Sequence, residues 1–247
     1  MNSPYFRLIK PAKNPRANLI CFPFAGSGAS IYQGWRNQID GRINLYGLQA
    51  PGREDRIMEE PLINLNKLID ELMFSLSSLN QNLPIILFGH SLGAIIAYEL
   101  AKKIHGTKIK SALLIVSGRQ APNILSKFPS VSHLNDEQLL QEITVLNGIP
   151  DEILQNNELL EIVLPVLRAD FKLADNYYAE IKDKLDCPVI AICSLDDPWV
   201  SVEEANKWKL TTIGLFQVKT FLGDHFYFKK NPSDLINFIN LQIAAII

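Results

Sequence analysis

Cysteine is scarce in this 247-residue chain: Cys21, Cys187 and Cys193 are odd in number and lack metal-ligand spacing. That argues against a disulfide framework or a zinc site, and leaves buried free thiols in a reducing compartment as the expectation. No apolar run approaches the ~20 residues that cross a bilayer. The start, MNSPYFRLIKPAKNPRAN, has no apolar core of the secretory kind. Charge of one sign is missing too, with 24 Lys and Arg against 26 Asp and Glu and no long block of either. Doublets such as Lys102–Lys103 and Lys229–Lys230 read as solvated faces rather than a nucleic-acid footprint. Gly26-Ser27-Gly28 is followed by Ile31 where a third glycine would be needed, and no Gly-Lys-Ser/Thr exists, which argues against phosphate cradling. There is no His-Glu-x-x-His and no Cys/His cluster, so neither a metal nor another cofactor is expected. The chain is expected to be cytoplasmic, with no membrane or nucleic-acid partner.

What is present is a large apolar fraction, 47% against 20% charged, in a length that suits one domain spanning residues 1–247. No internal repeat, low-complexity tract or interdomain linker stands out. Short apolar runs predict strands at Tyr5–Ile9, Leu19–Phe22, Ile43–Gly47, Ile85–Phe88, Ala112–Val116, Val189–Cys193 and Phe216–Phe221. Several are apolar on both faces, as parallel strands covered by helices on each side must be. Helices are predicted at Asn64–Leu79, Leu92–Ile104, Glu203–Trp208 and Ser233–Ile246. Ser201 with Glu204 forms a capping-box pattern, and Asn231-Pro232 suits a helix start. The alternation predicts an α/β fold with a mostly parallel sheet and right-handed crossovers. From about residue 125 to 181 only helical patterns occur, such as LNDEQLLQEITVL. A helical insertion between two sheet strands reads as a lid.

One stretch carries chemistry: PIILFGHSLGAIIAYELAKKI, residues 84–104. A strand runs into Gly-His-Ser-Leu-Gly and a helix follows. The chain must turn sharply there, and Gly89 and Gly93 keep side chains out of the turn. Ser91 is left projecting at the carboxyl end of the sheet beside a helix N-terminus. A serine hydroxyl needs a base, and the base an orienting acid; in a fold where the serine sits on such a strand-to-helix turn, the chain order is Ser, acid, His. Among four histidines, His90 belongs to the turn, His105 ends the next helix and His133 sits at the mouth of the insertion. His225, in TFLGDHFYF, alone follows the last strand, where a loop can lower it onto Ser91. For the acid, Val189–Cys193 leads into SLDDPWV and offers Asp197, with Asp196 as the alternative that caps or braces the turn. ALLIV ends in SGRQ and supplies no acid. Asp224 is expected to shape the His225 loop. Oxyanion donors are expected at the backbone N–H groups of Leu92 and of Ala25, the latter in LICFPFAGSGAS.

These motifs, with LQAPGREDR, LPVLRADFKLADNYY, CPVIAICSLDDPWV and GDHFYF, resemble in order those of the type II thioesterases, free-standing α/β-hydrolases that accompany nonribosomal peptide and polyketide synthases. The likeness runs from about Leu19 to Phe228. It implies an α/β-hydrolase fold and hydrolysis of acyl thioesters on the phosphopantetheine arm of acyl- or peptidyl-carrier proteins, removing stalled or mis-primed groups. It carries a catalytic triad onto Ser91, Asp197 and His225, and the oxyanion donors onto Ala25 and Leu92. Ser194 stands where many relatives have glycine, and Gly-Ser-Gly-Ala replaces the usual Gly-Gly-Ser-Ala. Neither change removes a chemical group.

Arg53 and Arg168 have two readings. Either could meet the phosphate of the pantetheine arm. The favoured reading is structural, Arg168 pairing with Asp170 or another lid carboxylate and Arg53 with Glu54 or Asp55. Rival functions are a generic carboxylesterase or fatty acyl thioesterase, an acyltransferase or cyclising release enzyme, and a catalytically silent carrier-binding protein. A monomer is expected.

Overall fold

The computed structural model describes residues 4–79, 82–127, 129–144, 151–175 and 177–247. Seven strands form one sheet: β1 Phe6–Lys10, β2 Ala17–Phe22, β3 Ile43–Leu48, β4 Ile85–His90, β5 Ser111–Ser117, β6 Val189–Ser194 and β7 Phe216–Phe221. Their spatial order is β1-β3-β2-β4-β5-β6-β7. Only β1 runs antiparallel, against β3. The other neighbours are parallel. All seven expected strands exist; β2–β6 extend one or two residues further than their apolar cores indicated, and β1 is shifted by one residue toward the C-terminus.

The central strands are buried on both faces because their side chains alternate between two cores. Ile20, Phe22, Ile85, Leu87, Leu114 and Val116 face one way. Leu19, Cys21, Ile86, Phe88, Leu113 and Ile115 face the other. The first core is closed by α1 Leu65–Leu76 and α2 Leu92–Ile104, the second by a 3-10 turn at Ala29–Trp35 and the C-terminal helix. Ten of the thirteen α2 residues are buried, since α2 is wedged between the sheet and α1. All three cysteines are buried and free. No helix among the described residues is long and apolar enough to cross a membrane.

Between β5 and β6 lie α3 Asp136–Thr144, α4 Asp151–Leu154 and α5 Asn157–Ala174, and no strand is assigned among the described residues there. Asn156 caps α5 by accepting from the Glu158 and Leu159 amides. Of the helical patterns expected in this region, residues 128, 145–150 and 176 lie outside the described residues, including the end of the one that began at Leu134.

After β6 comes α6 Val202–Asn206, capped by the expected Ser201–Glu204 box. It gives way to a 3-10 turn, Lys207–Thr211, rather than continuing to Trp208. The Trp208 indole is pulled inward, donating to the Arg119 carbonyl at 2.8 Å, and this tertiary anchor overrides local helix propensity. Two short pieces follow β7: α7 Tyr227–Lys230 and α8 Ser233–Ala244, with Pro232 as the α8 N-cap.

Candidate active site

The strand order puts a topological switch beside β2: β3 lies on one side and β4 on the other, so the loops leaving β2 and β4 part and open a crevice. Phe22 of β2 is in register with Gly89 of β4, which brings the Phe24–Gly28 loop alongside the β4–α2 turn. At that turn Ser91 has φ 55° and ψ −115°, a strained conformation that a non-glycine residue keeps only when its surroundings impose it. The Ser91 N–H donates to the Ser117 carbonyl at 2.8 Å. A Cβ on Gly89 would stand 2.0 Å from the Gly93 carbonyl oxygen, and one on Gly93 would stand 2.0 Å from the Phe22 carbonyl oxygen. Both glycines are therefore required by backbone approaching backbone.

β6 and β7 run side by side, and their exits meet. The Leu195 N–H donates to the Phe221 carbonyl and the Asp196 N–H to the Gly223 carbonyl. The Ser194 hydroxyl donates to the Asp224 carbonyl at 2.6 Å. This serine thus adds a tie between the two loops. Asp224 accepts from the Phe226 N–H at 2.9 Å and shapes its own loop, as expected. The two acid candidates separate clearly. Asp196 is exposed. The Asp197 carboxylate is fully buried, and the His225 Nδ1 donates to its Oδ2 at 2.8 Å. The other Asp197 oxygen accepts from the Trp199 N–H, and the Trp199 ring lies tilted over His225 at 5.6 Å.

Ser91, Leu92, Ala25 and His225 all line one cavity of about 90 Å³, closed by Phe24, Phe171 and Trp199 among others. With Nδ1 held by Asp197, the imidazole keeps Nε2 for a proton exchange in that cavity. Leu92 is the first residue of α2, where helix geometry leaves an amide without an intrahelical partner. His105 caps α2 and His133 is exposed, away from this arrangement.

His90 is buried directly behind the site. Its ring lies 4.8 Å from that of His225, and its Nδ1 sits 2.9 Å from Ser117 Oγ, which is 3.0 Å from the Tyr227 hydroxyl oxygen. Burial first, with His225 and Lys229 acting the same way, pushes the His90 pKa well below its ordinary value. Gly118 has φ +59°, and a Cβ there would come within 2.5 Å of the His90 ring and 3.0 Å of the His225 ring.

Arg168 pairs with a carboxylate of the helical segment, as expected, whereas the partner of Arg53 differs from expectation. Arg53 pairs with neither Glu54 nor Asp55. It forms a two-pronged ion pair with Asp170, at 2.6 and 2.9 Å, and both residues are buried. Asp55 is taken by Arg7, and Glu54 accepts from the Ser30 N–H. The Gly26 N–H also donates to Asp170, at 2.7 Å, so a carboxylate of α5 holds the loop after β2. Arg168 meets a different carboxylate of the helical segment, Asp136, and the carbonyls of Ser132 and Leu134. Sequence spacing gave no sign of the Asp170–Gly26 contact, which joins residues 144 positions apart. Among the described residues no group of three or more His, Cys, Asp or Glu is arranged to hold a metal ion.

The family model described as thioesterase domain matches residues 17–243. The gramicidin S biosynthesis protein GrsT of Aneurinibacillus migulanus is 34% identical over 94% of this chain and 91% of its own length. The thioesterase PikA5 of Streptomyces venezuelae is also 34% identical, over 96% of this chain and 84% of its own. Among solved structures, the type II thioesterase BorB of the borrelidin biosynthetic cluster superposes with a TM-score of 0.87 at 34% identity, covering 97% of each chain.

Proposed function

This chain belongs to the thioesterase family, and we propose that it is a type II thioesterase whose Ser91, Asp197 and His225 hydrolyse acyl thioesters carried on the phosphopantetheine arms of carrier proteins. The observation that carries this reading is the buried Asp197–His225 pair opening onto the same cavity as the strained Ser91. A protein that only bound carriers would have no use for a strained serine beside an acid-oriented imidazole.

The reaction runs in two steps. His225 Nε2 takes the Ser91 proton as Oγ attacks the thioester carbonyl carbon. The Ala25 and Leu92 amides hold the resulting oxyanion. Collapse of the tetrahedral intermediate expels the pantetheine thiolate, which then picks up the proton held on His225 and leaves the imidazole neutral. A thiol pKa of about 8.5 makes that departure far easier than loss of an alkoxide, so little help from a general acid is needed. His225 then takes a proton from water, which attacks the acyl-serine, and the proton passes to Ser91 as the free acid leaves. Hydrolysis of the acyl-serine is the more demanding step, because its leaving group is an alcohol.

The helices between β5 and β6 act as a lid that roofs the acyl cavity and opens for the carrier. Ile143, Leu167 and Phe171 of these helices line the cavity, which supports that role. The whole chain works as one domain, in the cytoplasm, where its three unpaired cysteines stay reduced.

Release of free thiol from an acetyl-loaded carrier protein, compared between wild type and Ser91→Ala, tests the reading. Rapid hydrolysis that disappears in the variant is the expected result. Cleavage of a simple oxygen ester with the carrier thioester left intact would instead make the protein a carboxylesterase.

A further inference from the structure

The walls of the cavity beside Ser91 are largely apolar, including Phe24, Leu92, Ile143, Leu167 and Phe226, yet one arginine lines them. Arg119 follows Gly118 just beyond β5, and its carbonyl is fixed by the Trp208 indole. It is 8% exposed. Burial lowers its pKa to about 10, so the guanidinium still carries its charge at neutral pH.

That charge has no ion-pair partner among the described residues. Of the five N–H donors a guanidinium offers, one has a partner among the described residues: Nη2 donates to the Ala174 carbonyl at 3.3 Å, a long bond. Tyr177 and Asp175 are near enough to raise the Arg119 pKa, but the Tyr177 hydroxyl donates to Glu99, and one Asp175 carboxylate oxygen is occupied by the Ser130 hydroxyl and the Val131 and Ser132 amides. Nε and Nη1 have no hydrogen-bond partner among the described residues, and Arg119 is one of the residues that line the cavity. Desolvating a cation that keeps a single long hydrogen bond is costly, and a chamber meant for alkyl chains alone would gain nothing from it.

We propose that Arg119 is a binding residue of the acyl chamber, selecting acyl groups that carry a neutral oxygen acceptor beyond the thioester carbonyl, a hydroxyl, keto or amide oxygen. The assignment rests on the thioesterase reading of the site. Neutral oxygen is favoured over carboxylate because Asp175 and Glu142 already line the chamber with negative charge. An oxygenated chain accepts from Nε or Nη1 and regains what a plain alkyl chain forfeits.

The test compares kcat/KM for a 3-hydroxybutyryl and a butyryl thioester of N-acetylcysteamine, with wild type and Arg119→Met. A hydrogen bond from a charged donor predicts a wild-type preference for the hydroxylated chain of about tenfold or more. The preference falls toward one in the variant. Arg119→Lys, which keeps a charged donor, regains part of it. A wild-type ratio near one overturns the assignment without any variant having to fold. So does a ratio that Arg119→Met leaves intact. Calorimetric binding of the same two thioesters to S91A reads the discrimination without turnover. Retained discrimination in a wild type that hydrolyses neither thioester would uphold the chamber and overturn the thioesterase reading. Equal binding by S91A would overturn the role of Arg119.

Discussion

Asp170 of α5 and Arg53 of the loop after β3 form a buried ion pair across 117 positions of sequence, and the same carboxylate accepts the Gly26 N–H at 2.7 Å. A helix of the segment between β5 and β6 thereby fixes the loop that carries Ala25. Removing one charge strands the other in a low-dielectric site. Asp170→Ala and Arg53→Ala should each destabilise the protein by about 3–5 kcal/mol. The double variant should lose clearly less than the sum, because it leaves no unpaired ion. Urea denaturation of the four proteins measures the coupling. Additive losses would mean that the pair contributes nothing as a pair.

In the proposed triad Asp197 acts through the imidazole, not on the substrate. Asp197→Asn keeps the size and the contact with His225 but favours the wrong tautomer, with the proton on the nitrogen that should face Ser91. The expected loss in kcat on a thioester is on the order of 10²–10⁴. The melting temperature should move by only a few degrees. An unchanged kcat would mean that Asp197 does not orient the base.

Gly118 is a position at which a single methyl should reach the chemistry. Alanine there meets an unfavourable positive φ, costing about 1–2 kcal/mol. It also presses on the rings of His90 and His225. Gly118→Ala should lower kcat at least tenfold while the protein remains folded at 25 °C. Kinetics and circular dichroism on one preparation decide it, and full activity would show that the rings can give way.

His90 should make the protein less stable in mild acid. Its folded-state pKa is held well below 6.5, so the folded protein keeps it neutral while the unfolded chain takes up a proton below that pH. The unfolded state then binds more protons, and stability falls with pH by up to about 1.4 kcal/mol per unit. His90→Asn should shallow the dependence of unfolding free energy on pH between 6.5 and 5 by about one proton. Equal slopes for the two proteins would remove His90 from the account.

The local pattern of this chain determined a good deal. Seven runs found seven strands, and the central ones are apolar along their length because they are buried on both faces. Gly89 and Gly93 marked the turn at Ser91 because only a residue without a side chain tolerates a backbone carbonyl at such close range. The positions of Asp197 and His225 followed from chain order, since residues just past parallel strands collect at one edge of the sheet. Tertiary structure decided what local pattern cannot encode. Asp197, not Asp196, meets His225 because the β6 and β7 exits are tied together through Ser194 and Asp224. Arg53 finds Asp170 rather than its neighbour Glu54, and Arg119 comes to lie in the wall of the cavity. A long side chain can reach several carboxylates along its own segment, and only the packing of distant elements excludes water from one of them.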